Sequence, residues 1–304
     1  MLDVLLDVVC LDLLRFNILR NQMKVIDFFK LKWRQVLALQ EQKEAFFRGC
    51  KTLAEDKVYD CLYRSFRGRG EIVYISSEMN SLYLRTADGI TVKTDSYYLI
   101  FLEIFCNRIY TIPPYIEEVD FVVFDIGMNR AYSSLFFANI DHCQHVYGFE
   151  LLGSTYRLAL ENIMLNPHLS DKITAYNYGL WNADTEVDVV DDGIDAHASV
   201  MTSTTSATSK VRVKRASTAI HGLLDSESGD FARILKIDVE GGEYTILEDL
   251  YQADLLYMFD IIIGEYHRGL DGLLSYLSDF YLSYHQKLGG LAGMIVFINK
   301  RHHW

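Results

Sequence analysis

Apolar positions recur along this chain in two rhythms. Through residues 1–63 they follow a helical period, and no Gly or Pro interrupts it until Gly49, so the segment is predicted to be helical. At its start, MLDVLLDVVCLDLLRF, the spacing of Asp3, Asp7 and Asp12 sets polar groups toward one side of a helix, with leucines and valines on the other. The basic stretch RSFRGRG (64–70) breaks this pattern. EIVYISS and SLYLRT then read as short strands, and ADG before ITVKT reads as a turn. Residues 97–110 read as a further helix, closed by Pro113 and Pro114.

Beyond Pro114 the pattern alternates strand and helix. The strand runs are FVVFDI (121–126), HVYGFE (145–150), KITAYNY (172–178), RILKID (233–238) and DIIIGE (260–265), with FYLSYH and GMIVFINK near the end. Helices are predicted over 131–140, 154–165 and 243–251, the second stopping before Asn166-Pro167. Continuous apolar strands alternating with helices predict an α/β fold, a parallel sheet covered on both faces. Residues 184–209 break the rhythm with an acidic piece and MTSTTSATS, and a loop is predicted there, either a mobile insertion or a cover over a substrate. The expected organisation is a helical extension over 1–70, a β-hairpin and helix over 71–114, and a ligand-binding domain over 115–304.

Composition narrows the function. The formal net charge of −12 argues against nucleic acid as the main partner, because phosphate backbones call for a basic surface. Cys10, Cys50, Cys61, Cys106 and Cys143 are odd in number and show no CxxC spacing, which predicts buried free thiols and a cytoplasmic protein. The three early aspartates count against a secretory signal and against a membrane span. Those helices are expected to cap the core or to mediate homo-oligomerisation.

ILKIDVEGGEY (234–244) carries three carboxylates just past an apolar strand. Acids so crowded resist burial unless water or a positive group sits among them. Four predicted strands end in an acid: Asp125, Glu150, Asp238 and Glu265. In a parallel sheet these would share the carboxyl edge, where ligands of open α/β sheets bind, and a cationic or hydroxyl-rich ligand is expected. The first turn, DIGMNRAYS, has Gly127 for a sharp bend and Asn129 as a ligand contact, but reads GxNxA where a dinucleotide site wants GxGxxG. Together with Glu150, placed to grip ribose hydroxyls, it points to an adenosine cofactor.

FDIGMNRAYSSLFFA resembles the DxGANxGxxS motif of FkbM-type methyltransferases, VYGFE resembles their VxAFEP, and LKIDVEGGEYTIL closely resembles their LKIDVEGxExxVL. VRVKRASTAIHGLL stands where that family has VxxxTLDxLL. The likeness spans about residues 74–300. It implies a class I, Rossmann-like fold with a seven-stranded, mostly parallel sheet, and S-adenosylmethionine-dependent O-methylation of a small acceptor such as a sugar, nucleotide-sugar or glycan. By this likeness Asp125, Gly127, Asn129, Glu150, Asn177 and Asp238 are the cofactor-binding candidates. Met128, Ala131 and Leu151 depart from the family's Ala, Gly and Pro, and the TLD aspartate is absent; Ala131 is expected to add a methyl group near the cofactor.

Methyl transfer to a hydroxyl benefits from a general base. His267, in GEYHRG, is the first candidate, with Asp238 and Glu240 as alternatives. Glu243 is expected to serve the helix N-terminus. The motifs do not demand a metal; were one present, Asp238, Glu240, Glu265 and His267 would suit a hard divalent ion. Two other readings compete with this one. A nicotinamide-dependent oxidoreductase is weakened by the missing GxGxxG, and a non-catalytic scaffold of the same fold would bind cofactor without turnover.

Overall fold

Strands β4 (Phe121–Ile126), β5 (Cys143–Phe149), β6 (Ile173–Tyr176), β10 (Ala232–Ile237), β11 (Ile261–Tyr266), β12 (Phe280–Gly289) and β13 (Ala292–Asn299) form one sheet, ordered β12-β13-β11-β10-β4-β5-β6. β13 runs against both neighbours, and the other strands share a direction. This is the seven-stranded, mostly parallel sheet expected. The computed structural model describes residues 72–78, 81–86, 88–94, 99–190, 208–226 and 229–301. The expectations for residues 1–70, including the amphipathic start and any oligomer contact, lie outside them.

β4 is central, and all six of its residues are buried, because helices cover both faces and leave no solvated side to alternate toward. Val122, Phe124 and Ile126 share one apolar cluster with Leu235, Ile237 and Ile262, closed by Ile220 and Leu224 of α5 (Ala216–Ser226) and by Ile246, Leu247 and Leu250 of α6 (Glu243–Gln252). On the opposite face α3 (Tyr132–Ala138) and α4 (Gly153–Met164) pack over β4, β5 and β6. The predicted helix over 97–110 is shorter: α1 (Leu99–Phe101) continues as a π-helical turn, Leu102–Cys106. α2 (Pro114–Glu117) starts on the proline predicted to close that segment, since proline suits a first helical turn. A last short helix, α7 (Asp271–Leu274), follows β11.

β1 (Ile72–Glu78), β2 (Ser81–Thr86) and β3 (Thr91–Thr94) make an antiparallel sheet, as the strand runs and the ADG turn predict. Two buried asparagines dock it onto α4. Asn162 Oδ1 accepts from the Lys93 N–H at 2.7 Å. Asn166 Oδ1 accepts from the Thr91 N–H at 2.8 Å, while its Nδ2 donates to the Thr91 and Asn162 carbonyls at 2.6 and 2.8 Å. Asn166→Ala should strand these backbone groups and lower stability by about 2 kcal/mol. A urea unfolding midpoint equal to wild type would show that the sheet is docked by something else.

The region predicted as a loop is partly sheet. β8 (Thr185–Val190) pairs antiparallel with β9 (Thr208–Arg215), and β7 (Gly179–Trp181) pairs parallel with β9. Glu186 faces Arg212 and Asp188 faces Lys210 across the ladder, so opposite charges support a pairing that the segment's polarity hides. Residues 191–207, with MTSTTSATS, lie outside the described residues. Cys106 and Cys143 are buried, as predicted, and burial pushes the Cys143 thiol up to about 12. The other three cysteines lie outside the described residues.

Candidate active site

The carboxyl ends of β4, β5, β10 and β11 open onto a cleft of about 320 Å³, the size of small-molecule sites. Glu150, Asp238 and Glu265 all line it, together with Glu240 and Glu103. Asp125 does not. It stands between Phe124 and Ile126, which face the α5–α6 core, so the pleat turns its side chain to the opposite face. There it is fully buried, accepting from Ser133 and Ser134 hydroxyls at 2.7 and 2.6 Å, with the Lys236 ammonium 3.0 Å away. Lys236 also donates to the Gly127 carbonyl at 2.7 Å and lines the cleft. Burial works against its charge, but Asp125 and Asp238 outweigh burial and raise its pKa.

Gly127 makes the first turn at φ +79°, and a Cβ there would meet the Asp238 carbonyl oxygen at 1.9 Å. Only glycine lets β4 and β10 end side by side. Glu150, one residue past β5, is buried and accepts from the Asn129 and Leu152 N–H groups at 3.0 and 2.8 Å. Burial pushes its carboxyl up to about 7, against the pull of those two donors. Leu151, Leu180, Trp181 and Val213 give the neighbouring wall an apolar surface. Asn177 is exposed, donates to the Glu150 carbonyl at 3.0 Å and does not line the cleft. It ties β5 to the turn after β6.

The departures from the family pattern have physical counterparts. Met128 lines the cleft and lies over Gly148, where a Cβ would come within 2.4 Å of the Met128 sulfur. The family's VxAFEP has alanine at that place, so a larger residue in one motif is accommodated by a smaller one in the next. Ala131 is buried in the left-handed region at φ +63° and is not on the cleft wall, so its methyl group does not narrow the cleft as expected.

Past β10 the chain turns through Glu240 at φ +52° and Gly241 at φ +101°. Glu243, fully buried at the start of α6, accepts from the Val239 and Gly241 N–H groups at 3.1 Å each and so closes the turn that precedes the helix. Its Oε1 also lies 2.8 Å from His267 Nδ1. His267 Nε2 then faces Glu240 at 3.5 Å and Glu265 at 3.7 Å. Burial disfavours the imidazolium, but the Glu243 bond and the charges of Glu243, Asp238 and Glu240 prevail and raise His267 to about 9. Burial and Asp238 raise Glu265 well above the usual carboxylate range. His267 thus stands behind the cleft wall as a cation near neutral pH, not on it as a free base. Tyr110, overlooked in the sequence, donates to Asp238 Oδ2 at 3.0 Å and lines the cleft.

Residues 125–286, a little over half of the chain, match the methyltransferase FkbM domain. The chain belongs to the FkbM methyltransferase family. It is accordingly an S-adenosylmethionine-dependent methyltransferase with the class I fold, and the oxidoreductase reading falls. No functionally curated protein matches the sequence. Among solved structures, the FkbM methyltransferase of Methylobacillus flagellatus is 13% identical, with 87% of this chain and 59% of that one covered and a TM-score of 0.39. A putative tRNA (m1A22) methyltransferase of Streptococcus pneumoniae is 14% identical, covering 64% and 73% with a TM-score of 0.38. TrmK of M. capricolum, in complex with S-adenosylhomocysteine, is 15% identical, covering 62% and 66% with a TM-score of 0.38.

The FkbM domain's cleft suits its cofactor. S-adenosylmethionine carries a sulfonium and an ammonium, and the wall presents carboxylates. Its ribose hydroxyls need an acceptor, and Glu150 is a buried carboxylate already oriented by two N–H groups. Its adenine is flat and apolar, and Leu151, Leu180 and Trp181 offer a matching surface. Among the described residues no helix is long and apolar enough to cross a membrane.

Proposed function

We propose that this FkbM methyltransferase methylates a hydroxyl of a small molecule, a sugar, nucleotide-sugar or glycan. The observation that carries the reading is the acidic wall where β10 and β11 end: Asp238, Glu240 and Glu265, with Glu103 lining the same cleft. Such a wall accepts hydrogen bonds from a polyhydroxyl ligand and repels a phosphate backbone, which disfavours a nucleic-acid acceptor.

In this reading Glu150 holds the cofactor ribose, with Gly127 and Asn129 shaping the first turn. Bound S-adenosylmethionine supplies a methyl group on a positively charged sulfur. The protein's part is to orient the acceptor oxygen and to take its proton. Asp238 and Glu240 line the cleft and fit the proton-accepting role. His267, held protonated by Glu243, fits a positioning role behind them. Asp125 and Asn177 support the cleft from outside through Lys236 and Glu150.

Incubating the protein with labelled S-adenosylmethionine and a panel of sugar-bearing metabolites should give one product heavier by a methylene group, about 14 Da, with the methyl on oxygen. Turnover confined to RNA in a parallel panel would replace the small-molecule reading.

A further inference from the structure

We propose that Asp238, Glu240 and His267 bind a divalent cation of the manganese and magnesium class at the edge of the methyl-transfer cleft. One ligand atom from each residue lies within 4.8 Å of the other two, a separation that a single ion can bridge. Two carboxylates and an imidazole suit these cations, the ion taking the place of the proton on His267 Nε2 while Nδ1–H stays on Glu243.

The imidazole is oriented from behind. Glu243 is fully buried and fixed by the Val239 and Gly241 N–H groups, and it engages His267 Nδ1 at 2.8 Å. Nε2 is thereby aimed at the Glu240 carboxylate, 3.5 Å away. A carboxylate on the far nitrogen is the usual support of a ligating histidine, because it fixes both tautomer and ring angle. Glu243 is not one of the three ligands, so this support is separate from the cluster itself. The Glu265 carboxylate, 3.7 Å from the same Nε2, offers a further oxygen.

Charge also favours an added cation. Asp238 and Glu240 both face the site, and the nearby Lys236 ammonium is engaged with Asp125 and the Gly127 carbonyl. Asp238, Glu240 and Glu265 line the cleft, so an ion here keeps open positions for water or for an acceptor oxygen. This last role rests on the hydroxyl-acceptor reading above; the binding site itself does not.

The test uses the full chain freed of metal, with manganese(II) titrated and followed by the free-ion paramagnetic resonance signal. One saturable site per chain is expected, with magnesium competing for it. Glu240→Gln and His267→Ala should each weaken manganese binding at least about tenfold. Both variants should bind S-adenosylhomocysteine within about threefold of wild type by calorimetry, since Glu150 is untouched. Absence of saturable manganese binding, or binding unchanged in both variants, overturns the proposal. Failure of the wild type to bind S-adenosylhomocysteine would count against the cofactor assignment alone, because manganese binding is read without it.

Discussion

Lys236→Met should lower the stability of this methyltransferase by about 3–5 kcal/mol, the cost of leaving a buried carboxylate without its partner. Lys236 and Asp125 are 2% and 0% exposed, so water cannot replace the lost ammonium. Two serine hydroxyls would remain on Asp125, too little to hold a full charge in the core. The Gly127 carbonyl would lose its donor as well, and the first turn would loosen. Adding Asp125→Asn should restore much of the loss, since an amide is neutral and its oxygen can still accept from both serines. Urea unfolding of the four proteins of this cycle is the measurement. A single Lys236→Met variant as stable as wild type would mean that the pair contributes nothing net.

Glu150→Ala should weaken S-adenosylhomocysteine binding about a hundredfold, near 3 kcal/mol, because the ribose loses a charged acceptor. The Asn129 and Leu152 N–H groups that orient the carboxylate would also lose their partner. The same residue predicts a pH dependence. Its carboxyl is raised to about 7, so it is protonated below that value and ionised above it. Affinity should therefore rise with pH and level off, and be about tenfold weaker near pH 6 than near pH 8. Glu150→Gln should abolish this dependence. Calorimetric affinities of S-adenosylhomocysteine at several pH values decide the matter, and an unchanged profile in Glu150→Gln would assign the titration elsewhere.

The strands of the large sheet were readable because burial on both faces demands unbroken apolar runs; FVVFDI at 121–126 coincides with β4 to the residue. TEVDVV and the start of β9 are half polar, and their pairing depends on cross-strand charges between residues far apart in the chain, Glu186 with Arg212 and Asp188 with Lys210. Local polarity therefore suggested a loop. In the site, Glu150, Asp238 and Glu265 converge because each ends a strand at one edge. Asp125 has the same sequence appearance, yet a one-residue offset in the pleat sends it to the other face. Lys236 sat in plain view as a lone cation inside ILKID; a lysine in a buried strand implies a buried acid, and Asp125 is its neighbour in register. Tyr110 gave no local signal, since it reaches Asp238 across 128 positions. The charge state of His267 depends on Glu243, brought to it only by folding.

Ala131 sits in a backbone shape made for glycine, with a side chain that has no business with the ligand. The left-handed conformation costs an alanine about 1 kcal/mol, and that cost falls on the loop alone. The turn therefore keeps a glycine-like backbone without a glycine. A search that insists on glycine at this place would pass over this chain, whose backbone still takes the left-handed turn there.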